Sequence, residues 1–298
     1  MVCQPAAGMN PLSSRNEYME AKEKTIGILA MAGTAFLWSI AGLFIKVIDW
    51  NPFAIAGARS FIASLVILAY LKKPVLNLSP PQLAAGVANA VTMMLFVAAN
   101  KTTTAANAIL LQYIAPVLTA IFGALILGER PRIEHWTAFI LAAVGMAIMF
   151  IDRMGGGSDI GNIIALASGV TFSLYFIFMR MQKGGSPLES ILLSHWITAG
   201  TCLAISLFMP LPRITPGALT AVAILGIIQI GLSSILFSVA IKRVSAVSAN
   251  LIAVIEPVFN PLWVFLALGE TPAVNAIVGG GIIVAAVTAA TVCSAVRK

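Results

Sequence analysis

Apolar residues fill long stretches of this chain, and polar residues gather in short stretches between them. Within each stretch the apolar side chains cover every face of a helix, as in a helix that lies in lipid or is buried on all sides. Most stretches have about the 20 residues that an α-helix needs to cross the hydrocarbon core of a bilayer. We therefore predict ten transmembrane helices, over residues 25–47, 52–71, 81–100, 104–127, 133–151, 160–181, 187–209, 216–241, 246–268 and 272–296.

Four of the predicted helices begin with a polar residue followed by proline. The polar side chain can accept a hydrogen bond from an unpaired N–H of the first helical turn. Proline lacks an N–H, and at the first helical position this costs nothing. The four predicted starts are Asn51-Pro52, Ser186-Pro187, Thr215-Pro216 and Thr271-Pro272.

One stretch of sequence occurs twice, over residues 106–131 and again over residues 247–272, at a constant offset of 141 residues. Self-similarity of this kind indicates two copies of one structural unit. We place the first five-helix unit at residues 25–154 and the second at residues 155–298, after a flexible cytoplasmic tail at residues 1–24. The matched pairs are Pro116 and Pro257, Gly128-Glu129 and Gly269-Glu270, Pro131 and Pro272, and Lys101 and Lys242.

Composition supports an all-α integral membrane protein. The 298 residues are 59% hydrophobic and only 10% charged, whereas ordinary soluble domains carry about 25% charged residues. The net charge of +7 could suggest a nucleic-acid partner, but the basic residues stand in ones and twos between apolar runs. That distribution is typical of residues that fix membrane topology. We therefore expect membrane lipid, and no nucleic acid, as a partner.

The basic residues are concentrated in alternate loops, with thirteen in one set and four in the other. Because cytoplasmic loops are enriched in Lys and Arg, both termini are predicted to be cytoplasmic. Each unit has an odd number of helices, so the second unit enters the membrane from the opposite side and the repeat is inverted. Inverted repeats are typical of secondary transporters. The larger set is Arg15, Lys22, Lys24, Lys72, Lys73, Arg130, Arg132, Arg180, Lys183, Lys242, Arg243, Arg297 and Lys298, and the smaller is Lys46, Lys101, Arg153 and Arg213.

Residues 101–108 (KTTTAANA), with Pro116 and the Gly-Glu-Arg-Pro exit at residues 128–131, resemble the signature of the EamA type of the drug/metabolite transporter superfamily. A weaker copy follows in the second half, and Trp38 sits where such proteins often carry a Trp-Gly or Trp-Ser pair. The resemblance implies ten helices around a central cavity, with the fifth and tenth peripheral. It also implies a bacterial inner-membrane protein that exports amino acids or carries nucleosides, polyamines or cationic drugs.

Catalytic motifs are not evident, so we expect neither an enzyme nor a cofactor or metal site. The informative residues are polar groups at membrane depth, which are costly there and often functional. Glu256, the one carboxylate in mid-helix, could exchange a proton or bind a substrate's ammonium group, or could instead pair with Arg59 or Asn260. For Arg59 we favour a structural role with the side chain reaching outward. For His195 we favour a hydrogen-bonded structural role over a proton relay.

Stripes of polar, aromatic and thioether side chains at helical spacing predict the lining of the cavity. Amides on these stripes have no hydrogen-bonding partner in hydrocarbon, which favours an inward orientation. Such a lining suits a neutral or zwitterionic substrate with an apolar group. The predicted substrate-binding residues are Trp38, Asn89, Met93, Phe96, Gln112, Tyr113, Tyr175, Gln229, Ser248, Glu256 and Asn260.

The sequence thus predicts a secondary transporter that exports amino acids, in particular bulky or aromatic neutral ones, and related metabolites. The alternative within transport is proton-coupled efflux of cationic or hydrophobic drugs. A channel or a membrane enzyme would be a different class, and an enzyme would need clustered acid–base or metal-binding residues that the sequence does not suggest. The expected functional unit is a monomer, with a dimer as the alternative.

Overall fold

The computed structural model describes residues 11–151, 158–185, 187–210, 212–268 and 273–296. Over these residues the regular secondary structure is helical, without strands. We number the helices α1 to α10, treating interrupted helices as one. They are α1, Pro11–Trp38 and Ala41–Val47; α2, Pro52–Leu71; α3, Pro80–Thr102; α4, Ala105–Gln112, Ala115–Phe122 and the π-helical Gly123–Leu127; α5, Ile133–Phe150; α6, Asp159–Met181; α7, Pro187–Ser206; α8, Pro216–Ile224, the π-helical Leu225–Leu232 and Ser233–Arg243; α9, Ala246–Ala253 and Glu256–Leu268; and α10, Val274–Val296.

The described helices have the length and surface of a multi-pass membrane protein. Nine helical stretches are long and apolar enough to cross a membrane, and a shorter apolar stretch, Ala246–Phe259, belongs to α9. Large apolar side chains face outward, including Leu125, which is 77% exposed. Lipid is the solvent that accepts such a surface, because it makes no hydrogen bonds and helices satisfy their own backbone. The predicted all-α membrane architecture is confirmed for the described residues.

Side chains cap several helices as the sequence predicts. Asn51 accepts a hydrogen bond from the Ala54 N–H at 2.8 Å, and Thr215 accepts one from the Ala218 N–H at 3.2 Å. Two further caps lie 141 residues apart, because Thr104 begins α4 and Ser245 begins α9, and each accepts the N–H three residues on. The predicted caps at Ser186 and Thr271 lie outside the described residues.

The first helix begins at Pro11 rather than at residue 25, so the expected flexible tail is corrected for residues 11–24. Glu23 forms an ion pair with Arg243 at 2.7 Å, and Lys24 donates a hydrogen bond to the Ser294 carbonyl. The local sequence, EAKEK, is also rich in strong helix formers. These contacts and preferences extend the helix beyond the apolar stretch that marks the membrane.

Helix contacts occur in pairs related by a shift of five helices. The packing of α3 on α6 matches that of α8 on α1, and the packing of α3 on α7 matches that of α8 on α2. Likewise α4 contacts α6 as α9 contacts α1, while α2 packs on α7 and α5 packs on α10. This is the contact pattern that a twofold relation between two five-helix halves produces.

Glycines allow α5 and α10 to approach closely. A Cβ atom on Gly279 would lie 2.3 Å from the Gly145 carbonyl oxygen, and one on Gly145 would lie 2.8 Å from the Gly279 carbonyl oxygen. Contacts this short exclude any side chain at either position, as at other small-residue crossings of membrane helices. This crossing lies away from the central cavity described below.

Contacts between loop and helix-end residues define the two ends of the molecule. Glu23, Lys24, Glu129, Arg180 and Arg243 lie at one end, which we call the basic end, joined by the contacts that link α1, α4, α6, α8 and α10. At the opposite end, Lys101 donates to the Ile48 carbonyl and Trp50 donates to the Arg213 carbonyl. α4 ends and α9 begins at the basic end, so these two helices run in opposite directions.

Candidate substrate cavity

Four helices lose regular α-helical geometry around the centre of the molecule. α4 is interrupted at Tyr113 and Ile114, and α9 at Val254 and Ile255, which are the equivalent positions of the repeat. Pro116 and Pro257 lie just after these interruptions and account for them, because proline has no N–H to donate to the carbonyl one turn earlier. α1 is interrupted at residues 39–40, and α8 contains a π-helical segment. Irregular backbone at membrane depth is tolerated where it lines a cavity, and such segments often mark binding sites.

A small central cavity lies at these irregular segments. Its volume is about 40 Å³, and a water molecule in the liquid takes about 30 Å³. The cavity is therefore too small for an amino acid and would have to expand to hold a substrate. Helices of both halves supply its walls, with the lining residues Trp38, Ala41, Arg59, Thr92, Met93, Phe96, Gln112, Phe172, Gln229 and Glu256.

Six of the eleven predicted binding residues line this cavity. Aromatic and thioether groups form the apolar wall, and the Trp38 ring lies 5.7 Å from the ring centre of Phe172. The Trp38 indole N–H is held by Ser233 Oγ at 2.9 Å, and the Gln112 amide donates to Ser168 Oγ at 2.7 Å. These bonds fix the orientation of two lining side chains. The six residues are Trp38, Met93, Phe96, Gln112, Gln229 and Glu256.

Four predicted binding residues lie elsewhere. The Asn89 amide donates to Ser194 Oγ on α7 at 2.7 Å, and Tyr175 is buried in an aromatic cluster, 5.3 Å from the Phe237 ring. Tyr113 lies behind Glu256 and orients its carboxyl group. Ser248 is at the basic end, beside a larger cavity of about 380 Å³. The side chain of Asn260, the eleventh, lies outside the described residues.

Glu256 occupies the first position of the second segment of α9. The Tyr113 hydroxyl lies 2.9 Å from Glu256 Oε2 and 3.0 Å from the Ala253 carbonyl oxygen. The positive end of the helix dipole at this position favours a negative charge. No ion pair joins Glu256 to Arg59 within the described part of the chain, so the alternative in which these two residues pair is not found.

Arg59 does not extend outward as the sequence suggested. It is 1% exposed, and its guanidinium lies against the cavity with Nη2 3.4 Å from the Met93 sulfur. Its helix carries no other charged residue, so the sequence marks the residue as unusual. Periodicity alone did not decide whether it faces lipid or the interior. Arg59 is the principal lining residue that the sequence analysis missed.

His195 is fully buried on α7, with Nε2 3.5 Å from Ser234 Oγ. This is a long contact on a neighbouring helix of the bundle. A structural role for the imidazole, which the sequence favoured, remains a prediction.

Glu129 and Arg180 join the ends of several helices at the basic end. Glu129 Oε1 lies 2.8 Å from Arg180 Nε, and Oε2 accepts the Ala246 N–H at 2.9 Å. Arg180 Nη1 also donates to the Ile241 carbonyl at 2.9 Å. We call this set of bonds the Glu129–Arg180 latch. Gly128 adopts a φ of 68° immediately before it, a left-handed conformation that glycine adopts without strain, which accounts for the Gly-Glu pair.

A sequence profile of the EamA-like transporter family matches residues 25–151 and, separately, residues 159–292. The two matches together cover most of the chain. The chain belongs to the EamA-like transporter family. The resemblance inferred from the repeated Gly-Glu-x-Pro segment, to the drug/metabolite transporter superfamily, is thereby confirmed.

The EamA-like chain is similar to several curated proteins, to some of them over most of its length and to others over about half. An uncharacterized transporter of Archaeoglobus fulgidus is 25% identical over 88% of this chain and 94% of its own. The pseudopaline exporter CntI of Pseudomonas aeruginosa is 29% identical over 87% of this chain and 94% of its own. Protein RarD of Escherichia coli is 28% identical over 55% of this chain and 57% of its own.

A solved crystal structure shares the fold of this EamA-like chain. The two superpose with a TM-score of 0.78 at 22% sequence identity, over 94% of this chain and all of the other. Similarity at this identity establishes the fold. Among the described residues, no group of three or more His, Cys, Asp and Glu side chains could hold a metal ion.

Proposed function

We propose that this EamA-like protein is a secondary transporter that exports amino acids, in particular bulky neutral ones, and related metabolites across the bacterial inner membrane. The central cavity is the observation that carries the proposal. Its walls combine the aromatic rings of Trp38, Phe96 and Phe172 with two amides and two charged groups. This combination suits a substrate that has an apolar side group and charges of both signs.

Alternating access between two inverted halves is the proposed mechanism. Three observations support it: the profile matches once in each half, α4 and α9 run in opposite directions, and helix contacts are paired under a shift of five helices. Two equivalent halves of opposite orientation can adopt inward-open and outward-open states of similar energy.

Two further observations support the proposed direction of transport and orientation in the membrane. CntI, which is 29% identical to this chain, is named as an exporter. Loops rich in Lys and Arg face the cytoplasm in most membrane proteins, which supports a cytoplasmic location for the basic end. The proposed functional unit is the monomer.

Counterflow in liposomes tests the proposal. The purified chain is reconstituted in vesicles loaded with unlabelled phenylalanine or leucine, and uptake of trace labelled amino acid is measured. We expect saturable, trans-stimulated uptake of both amino acids and little uptake of a nucleoside or a quaternary ammonium compound. Nucleoside counterflow without amino acid counterflow would refute the substrate class. Flux that does not saturate would indicate a channel.

Efflux of cationic drugs is a second candidate, because Glu256 places one carboxyl group in the cavity. The Glu256→Ala substitution separates the two candidates. If the substrate is a cation, this variant should lose its transport almost completely, since no other carboxylate lines the described cavity. If the substrate is a zwitterion bound at several groups, exchange should be weakened but measurable.

A further inference from the structure

Arg59 is a buried cation whose charge is not balanced by the protein. Its side chain is 1% exposed, and its only described hydrogen-bond acceptor is the thioether sulfur of Met93. Nε has no hydrogen-bond partner in the described residues, and none of the described ion pairs includes Arg59. A thioether is a weak acceptor, and arginine does not give up its proton in proteins. The guanidinium therefore remains charged in a site that offers it little compensation.

Such an arrangement is unfavourable in the protein alone. Removing an ion from water costs several kcal/mol, and the cost is recovered only when an opposite charge and further hydrogen bonds are present. Arg59 has neither, although it lines the cavity that the two halves enclose. A binding site can contain such a buried, unpaired charge when the ligand supplies the opposite charge on binding. The flat guanidinium matches a carboxylate, which can accept two parallel hydrogen bonds from it.

The rest of the cavity fits the remainder of such a ligand. Gln229 Oε1 is a buried acceptor without a described partner, and Glu256 is bonded to Tyr113 rather than to Arg59. Arg59 on α2 thus has N–H groups available to donate, and Gln229 on α8 and Glu256 on α9 have oxygens available to accept hydrogen bonds. A molecule with a carboxylate and an ammonium group complements both.

We propose that Arg59 binds the carboxylate of the substrate, and that the cavity consequently selects substrates that carry one. This deepens the proposed function and rests on it for the identity of the substrate as an amino acid. A quaternary ammonium compound or an amine without a carboxylate leaves Arg59 uncompensated and is rejected. Gln229 and Glu256 are left to contact the ammonium group.

The first test needs no ligand. Replacing Arg59 by methionine removes the uncompensated charge and keeps an unbranched apolar side chain. We expect Arg59→Met to raise the melting temperature of the purified full chain by about 2–4 °C. Arg180→Met is the matched control and should lower it, because Arg180 is paired with Glu129. A decrease for Arg59→Met comparable to that of Arg180→Met would show that Arg59 is held by structural partners, and would overturn the proposal.

The second test uses four related probes: phenylalanine, phenylalaninamide, phenethylamine and 3-phenylpropanoate. Their affinities are measured by thermal shift on wild type, Arg59→Lys and Arg59→Gln. For wild type we expect phenylalanine to bind about 30-fold more tightly than its amide, as for loss of a charged hydrogen bond. In Arg59→Gln the preference should fall to about twofold, and Arg59→Lys should retain part of it. An unchanged preference in a folded Arg59→Gln protein would refute the assignment.

The two proposals can fail separately. If phenylpropanoate stabilises wild type but not Arg59→Gln while amino acids show no counterflow, Arg59 binds carboxylates and the substrate is a different acid. If amino acids exchange normally and Arg59→Gln discriminates acid from amide as well as wild type does, the transporter proposal stands without this role for Arg59. If none of the four probes binds, the change in melting temperature of Arg59→Met alone decides whether Arg59 is held by structural partners, which would overturn the proposal, or is an uncompensated charge.

Discussion

Glu256 and Tyr113 form a bonded pair across two helices at the wall of the cavity. The 2.9 Å contact joins α4 of the first half to α9 of the second, at the equivalent interruptions of the two helices. A carboxyl group at this position can exchange a proton with whichever compartment the cavity faces, and its bond to Tyr113 changes with its charge. We propose that proton exchange and helix movement are linked at this side chain.

Neutralising Glu256 should separate exchange from uphill transport. In liposomes, we expect Glu256→Gln to retain counterflow within about a factor of ten of wild type, but to lose accumulation driven by an imposed pH gradient. The physical reason is that an amide can hydrogen-bond to Tyr113 but cannot carry a proton.

Asp159→Asn is the matched control for this prediction, because Asp159 is an exposed carboxylate in the first turn of α6. It should behave as wild type in both assays. If Glu256→Gln still accumulated substrate in response to the pH gradient, Glu256 would not be the coupling residue.

The sequence predicted individual cavity residues only in part. The α3 stripe identified Met93 and Phe96 correctly as lining residues, but Asn89, one turn earlier on the same face, bonds to α7 instead. Helical periodicity indicates a face of a helix and not a depth, and the cavity is shorter than the helices around it. For the same reason the pattern could not place Arg59, whose orientation depends on how α2 is rotated against its neighbours.

Two helix interruptions lie where proline causes them. Pro116 and Pro257 stand out in the sequence as equivalent positions of the repeat, and α4 and α9 are both interrupted just before these residues. The π-helical segments Gly123–Leu127 and Leu225–Leu232 were not predicted. No residue type marks a π-helical turn in the sequence as proline marks a bend, because the turn arises from tertiary packing. Such turns are frequent at functional sites.

The Glu129–Arg180 latch connects elements that must separate if the basic end opens. Glu129→Gln keeps the hydrogen-bonding shape but removes the ion pair. We expect this variant to lose about 1–2 kcal/mol of stability and to populate states open at the basic end. A cysteine at the cavity residue Ala41, in a chain without other cysteines, should then react severalfold faster with an impermeant maleimide in inside-out vesicles.

Glu134→Gln is the control for the latch, because Glu134 lies at the same end and its closest ion-pair contact is a long one of 3.8 Å. It should leave the labelling rate at Ala41→Cys unchanged. If Ala41→Cys were labelled at the same rate with and without the Glu129→Gln substitution, the latch bonds would not hold the basic end closed.

At the scale of the whole molecule, the account depends on how the two halves are oriented. The repeat offset of 141 residues was visible in the sequence, and the paired helix contacts have the corresponding twofold pattern. The cytoplasmic location of the loops rich in Lys and Arg stays a prediction from charge counting. The small volume of the cavity was not predictable, because it depends on how the helices of the two halves pack.

Cysteine accessibility at the two Gly-Glu corners tests the inverted arrangement most directly. Cys3, Cys202 and Cys293 are replaced by serine, and single cysteines are introduced at Arg130 and at its repeat equivalent, Thr271. Intact cells are treated with a membrane-impermeant maleimide, before and after permeabilisation. We predict that Thr271→Cys is labelled in intact cells and that Arg130→Cys is labelled only after permeabilisation. Labelling of both positions from the same side would contradict an inverted repeat and the alternating-access mechanism built on it.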